Sequence, residues 1–380
     1  MSTVYGSGGT GKLSAPANSE HFKSVFDYDA IADATVQIFE MYITTRLASN
    51  NGDGAGGGGG SGDGDVNYND EDQMVFEDQL VAVAALGRAR PGKTLGLLAQ
   101  LIQERSGLLH FLFQTYKSTG QIAEDQLNAT HESLHWLVLL SGHVLADAGS
   151  SEKVLVPAPI LSVSIAAEKV YFTLLLNYDL ILKIFFSQRN SNQPEVVVAL
   201  TTHIFNLLEL VSIAPNQPEL VLSSPLLAQT LMWFLERWSQ TFLFIDASDY
   251  ARMSTTLINS YGAVSEASKG LVAGLLSKTL TQFVNWHTDQ NFLHELIGVT
   301  KTWAKKSNLA TAVVQSEPWP AFINAVMERH LVVPDEEQSA LIEAICRLCS
   351  AAHSSGTSTY LQGLLGIAAV SSLIKRRKLW

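Results

Sequence analysis

The eight residues GRARPGKT, Gly87 to Thr94, match the phosphate-binding pattern G-x-x-x-x-G-K-[ST] letter for letter. In such a loop backbone N–H groups cradle the phosphates, the lysine reaches the outer phosphate oxygens and the last hydroxyl sits on magnesium. GSGGTGKL, from Gly6, nearly repeats the pattern, and FLFID, ending at Asp246, has the composition of a strand that delivers a magnesium-binding aspartate. HESLH, from His131, is spelled like a zinc-protease helix: His131 and His135 would share one face, with Glu132 beside them as general base. Cys346 and Cys349 form a lone C-x-x-C in EAICRLCSAA, and a basic run, KRRK, spans Lys375 to Lys378. These chemistries exclude one another, so the elements carrying the residues must decide among them.

A phosphate loop needs a strand before it and a helix after it. VAVAAL precedes the loop, but Phe76, Leu80 and Val83 mark a helical face running into it, and Ala82, Ala84 and Ala85 prefer helix. A nucleotide fold also needs further parallel strands with crossovers, and no segment reads as one. GRARPGKT is therefore read as a basic turn between helices, with Arg88, Arg90 and Lys93 in water. GSGGTGKL carries Leu13 where the metal-binding hydroxyl belongs. FLFID reads as a helix end, because Phe234, Trp238, Thr241, Phe242 and Ile245 lie along one helical side. HESLH lacks a third ligand: His143 lies roughly 12 Å along the axis from His135, beyond reach of one ion, and Glu152 or Glu168 would need a loop geometry nothing supports. The two histidines are expected as polar caps on a packed helix whose core side is Leu127, Leu134, Leu137 and Val138. The cysteines, with no second pair, read as small buried helix residues. KRRK reads either as a nuclear-localisation patch or as a solvated helix end where positive charge suits the dipole. No G-x-S-x-G elbow is present. No catalytic, cofactor-binding or metal-ligating residue is assigned, and neither cofactor nor metal is expected.

Composition sets the frame. Of 380 residues 47% are hydrophobic and 16% charged, enough for a large core, with two or three domains unless the chain is a repeat array. A net charge of -11 argues against nucleic acid as a partner. The apolar run YFTLLLNYDLILKIFF is interrupted by Asp179 and Lys183, and LLGIAAVSSLI falls short of the roughly 20 residues a span requires, so membrane insertion is not expected. With two cysteines and no signal-peptide pattern, a reducing compartment is the default.

Residues 1–20, rich in Gly, Ser, Thr, Ala and Pro, and 49–72, rich in Gly, Asp and Asn, are expected to be mobile. Residues 21–48 read as a helix, with Ile31, Ala34, Ile38, Met41 or Tyr42, and Leu47 with Arg46 on its period, and Asp29, Asp33, Gln37 and Glu40 toward water. From 73 to 353, helical stretches recur between Gly, Pro or polar clusters, with Pro194, Pro225 and Pro318 near first turns. Such helices bury their faces by stacking as antiparallel pairs, so the expected fold is all-α, a HEAT/armadillo-like α-solenoid of about six pairs at about 40–47 residues each. Residues 354–380 read as a C-terminal helix with a basic tail.

At TVQIFEMYITTRLAS, EDQLVAVAALGR, ESLHWLVLLSGHVLAD, WFLERWSQTFLF and NLATAVVQSEPWPAFINA the chain resembles the exportin-4 family, nuclear transport receptors of the importin-β superfamily. The likeness runs in order from about residue 22 to about residue 330. It implies a non-enzymatic HEAT-repeat solenoid that shuttles between nucleus and cytoplasm, with protein cargo, the GTPase Ran and nuclear pore proteins as partners. Among the cargoes it implies are a hypusine-bearing translation factor and Smad-type regulators. It also places GRARPGKTLGLLAQLIQER where the family has a helix, a turn and a helix, and HESLHW on a helix without metal. Because the chain is much shorter than such receptors and resembles their middle, the repeats that grip Ran are expected to be absent and the chain to be a fragment or truncated form. The acidic balance suggests partners with basic faces. The rival readings are a HEAT or armadillo scaffold with no transport role, and a phosphate-loop or zinc hydrolase.

Overall fold

A computed structural model describes residues 27–49, 71–146, 156–176, 195–329 and 332–352. Thirteen α-helices span them: α1 (Tyr28–Ser49), α2 (Glu71–Gly87), α3 (Pro91–Thr119), α4 (Glu124–Leu145), α5 (Ala158–Leu176), α6 (Val196–Val211), α7 (Pro225–Thr241), α8 (Thr255–Tyr261), α9 (Glu266–Trp286), α10 (Gln290–Trp303), α11 (Ser307–Val314), α12 (Trp319–Arg329) and α13 (Asp335–Ala351). Two 3-10 turns, Pro218–Leu222 and Ala247–Arg252, lie on either side of α7. No strand forms among the described residues; a single isolated bridge pairs Ile245 with Gly262. The expectations for residues 1–20 and 354–380, and for nearly all of 49–72, fall outside the described residues.

Local chemistry sets the helix ends. Ser224, Ser254 and Asp289 accept from backbone N–H groups of Leu227, Leu257 and Phe292, closing the first turns of α7, α8 and α10. Pro91 and Pro225 open α3 and α7, where a missing N–H leaves nothing unpaired. Gly120, at φ 68°, ends α3 in the left-handed region and returns its N–H to Tyr116 O at 2.8 Å.

Packing sorts the helices into two layers. α2, α4, α7, α10 and α13 touch in that order, while α3, α6, α9 and α12 run alongside and α1 lies on α2 and α4. Across α6 and α9, Gln282 Nε2 donates to Val211 O at 3.0 Å and Asn285 Nδ2 to Ile213 O at 2.9 Å. The protein is an all-α solenoid, as its helical periods imply. Its described residues make five two-helix steps rather than about six, because α5, α8 and α11 occupy the chain between steps. α4 has neighbours on all sides, and from Thr130 to Leu145 only Glu132 escapes burial.

The first helix differs from its expected orientation. α1 buries Val36, Phe39, Ile43 and Leu47, while Ile31, Ile38 and Met41 are 52%, 54% and 68% exposed. It carries two opposed apolar stripes, and the contact with α2 and α4 selects the one that periodicity alone did not favour.

Candidate functional site

The GRARPGKT residues are committed to joining helices. Gly87 ends α2 where a Cβ would lie 2.9 Å from the Phe39 ring, and its carbonyl accepts from Thr94 Oγ1 at 2.8 Å. The threonine that a phosphate loop would give to magnesium thus ties the α2 terminus to the first turn of α3. Arg88 does not sit in water as expected: Nε donates to Val144 O at 3.0 Å and the guanidinium also donates to His143 O, pairing carbonyls at the end of α4. Arg90 pairs with Asp29 and, at 3.4 Å, with Asp33, and Lys93 Nζ lies 2.8 Å from the Asp33 carboxylate. The Lys93 hydrogen bond, with Arg90 adding to it, holds the Asp33 carboxyl below its ordinary range. Asp29 and Asp33, expected free in solvent, therefore fasten α1 to the turn. GSGGTGKL lies outside the described residues.

The histidines of HESLH are core residues rather than polar caps. His135 is 3% exposed, with Nδ1 2.6 Å from Thr230 Oγ1 on α7. Since the Thr230 hydroxyl donates to Leu226 O at 2.7 Å, the imidazole donates from Nδ1. Burial pushes His131 and His135 down to about 4. His143, whose ring lies 5.1 Å from that of Trp233, is pushed down to about 3 by burial, with Arg237 and Arg88 adding to it. The anticipated core side, Leu127, Leu134, Leu137 and Val138, is buried. Among the described residues no group of three or more His, Cys, Asp or Glu side chains could hold a metal ion. On α13 Cys349 is buried and its thiol is pushed up to about 12 by that burial, while Cys346 is half-buried. No described helix is long and apolar enough to cross a membrane.

FLFID breaks from its helix earlier than its apolar pattern suggests. α7 stops at Thr241, Phe244 takes φ 54°, and Ile245 exchanges backbone hydrogen bonds with Tyr261 and Ala263. All five residues assigned to one helical side are buried, but Ile245 reaches the core from a loop.

That loop walls a cleft of about 830 Å³ between the ends of α7 and α10. Val156, Phe244, Ile245 and Met253 supply apolar lining, with Asp246 and Asp249 on one side and Lys305 and Lys306 on the other. Lys306 Nζ donates to Leu243 O at 2.6 Å, which fixes that wall. An apolar floor between charges of both signs suits a stretch of polypeptide. Sequence reasoning missed the cleft, because its walls lie about sixty residues apart and a non-glycine left-handed residue leaves no mark in composition. The turn before Lys305, closing an amphipathic helix, was the available signal.

With its motif residues used up in fastening helices, the chain is an α-solenoid whose described residues form a cleft of mixed charge between α7 and α10. A family model for Exportin-4 matches residues 14–374, and the chain belongs to that family. It is similar to Exportin-4 of Dictyostelium discoideum, 22% identical over 339 residues, a match covering 87% of this chain and 27% of the relative. The chain thus spans only about a quarter of the length of that curated relative.

Proposed function

We propose that the chain is a receptor segment that binds protein cargo in nuclear export, working in nucleus and cytoplasm, with Ran and nuclear pore proteins engaged by the complete receptor. The observation that carries this reading is the family match over residues 14–374. Two features support it: a solenoid offers a long surface to a folded partner, and the cleft between α7 and α10 offers a place for a cargo segment. No enzymatic step is part of the reading.

The test is direct binding of the purified 380-residue chain to a hypusine-bearing translation factor, with and without GTP-loaded Ran. Binding is expected, weakened about tenfold when Asp249→Lys and Lys305→Glu reverse the cleft charges. A folded chain that binds neither this cargo nor a Smad-type regulator would overturn the reading. Cargo binding that the reversed cleft leaves unchanged would remove the cleft from the cargo surface.

A further inference from the structure

A second pocket, of about 420 Å³, opens where the start of α4 meets the 3-10 turn at Pro218–Leu222 and the first residues of α7. α4 and α7 are packed between α2 and α10, so the pocket lies inside the stack, away from either end of it. It sits at the first turn of α7, a helix about 25 Å long, whereas the cleft described above lies beyond the last turn. Leu127, Val221, Leu222 and Pro225 make the lining largely apolar, and Val221 is 72% exposed. Set among them are polar atoms that the fold leaves unserved. His131 is 8% exposed, yet its Nε2 has no hydrogen-bond partner among the described residues, and neither has the buried Oγ of Ser223. In the first turn of α7 Ser224 takes the N–H of Leu227 and Pro225 has none, which leaves the Leu226 N–H without an acceptor among the described residues. Buried polar groups in native folds are nearly always paired, so two at one pocket, beside an open helix terminus, point to a ligand.

We infer that this pocket binds one residue of an extended polypeptide partner, with a peptide carbonyl held at the start of α7 and an aliphatic side chain on the apolar lining. The polar pattern selects that ligand. The Ser223 hydroxyl, the Leu226 N–H and the His131 imidazole can all donate to a carbonyl oxygen, and the Asn128 carboxamide on the same lining can accept from a neighbouring peptide N–H. A phosphate or a free carboxylate would lack a counter-charge there. No lining residue is a lysine or arginine, Glu132 brings a carboxylate, and Lys117, which reaches the 3-10 turn, is paired with Glu219 at 3.0 Å. Nor does His131 add positive charge near neutral pH, since burial pushes it down to about 4. An uncharged peptide unit meets these donors without that penalty, and a pocket of this volume is large enough for a leucine-sized residue with its flanking amides. The site is separate from the cleft between α7 and α10 and does not depend on the cargo reading of it.

The test is saturation-transfer NMR of the whole chain with N-acetyl-leucine methylamide, a single capped residue, beside N-acetylleucine and inorganic phosphate as comparison probes. The capped amide is expected to bind saturably, with the millimolar affinity of so small a molecule, and to shift the imidazole resonance of His131. Ser223→Ala and His131→Phe each remove one donor and are each expected to weaken it about fivefold. Thermal unfolding checks that both variants fold; should His131→Phe not, Ser223→Ala, which lies outside any helix, carries the test alone. Because the His131 resonance reports this pocket, the result stands apart from cargo binding at the cleft. No saturable binding of the capped amide would overturn the inference, including the case in which the chain's own residues fill the pocket. Binding that leaves the His131 resonance and both substitutions without effect would overturn it too. Tighter binding of N-acetylleucine or phosphate than of the capped amide would make this an anion site at a helix terminus and overturn the ligand class.

Discussion

Arg88 and Lys93 come from the same eight-residue motif and have opposite fates. Arg88 pairs carbonyls at the end of α4, whereas the Lys93 side chain is 63% exposed and touches only the surface carboxylate of Asp33. Arg88→Ala is expected to cost about 1.5–3 kcal/mol in urea unfolding, because it orphans carbonyls held by a charged donor. Lys93→Ala should leave the unfolding midpoint unchanged; the reverse ranking would mean that the turn is organised around Lys93. The α4 histidines make a second prediction. Their folded pKa values, about 4 for His131 and His135 and about 3 for His143, lie below the ordinary 6.5, so the unfolded chain binds more protons on acidification. Their stabilisation is complete above pH 6.5 and is lost as pH falls from there toward 4 and 3. Each is expected to remove about 2 kcal/mol between pH 7 and pH 5, read from denaturation at the two values. A flat pH response would place these rings in water.

Helix by helix, close approach rather than propensity decides the effect of a substitution. Gly142 of α4 faces α7, where a Cβ would lie 2.5 Å from the Trp233 ring, itself flanked by His143 and by Arg237 at 5.3 Å. Alanine improves helix propensity by about 1 kcal/mol there, yet overpacking against a fixed indole outweighs it, and Gly142→Ala is expected to destabilise by about 1–3 kcal/mol. Gly107 of α3 has nothing within 4 Å of its Cβ position, so Gly107→Ala should stabilise by about 0.5–1 kcal/mol. Thermal unfolding of the two variants should move in opposite directions. The two faces of α1 obey the same logic, since either apolar stripe satisfies the period and the neighbour selects one.

For the whole molecule, the net charge of -11 bears on association rather than fold. Affinity for a cargo with a basic face is expected to fall by about tenfold or more as ionic strength rises from about 0.05 to 0.3 M, through a slower on-rate. Binding indifferent to salt would mean that apolar contact at the cleft dominates. The sequence by itself determined the all-α class and the stacking of paired helices, because the 3.6-residue recurrence of apolar side chains in segments such as α6, α7 and α10 is a local property of the chain. It also showed that GRARPGKT lacks a preceding strand and that the core side of α4 holds Leu127, Leu134, Leu137 and Val138. Only the tertiary structure decided which stripe of α1 is buried, that Arg88 turns inward to α4, that the histidines lie in the core, and that the loops after α7 and α10 enclose a cleft. Those outcomes depend on which surfaces distant segments bring together, and periodicity along one helix carries no information about what stands opposite it.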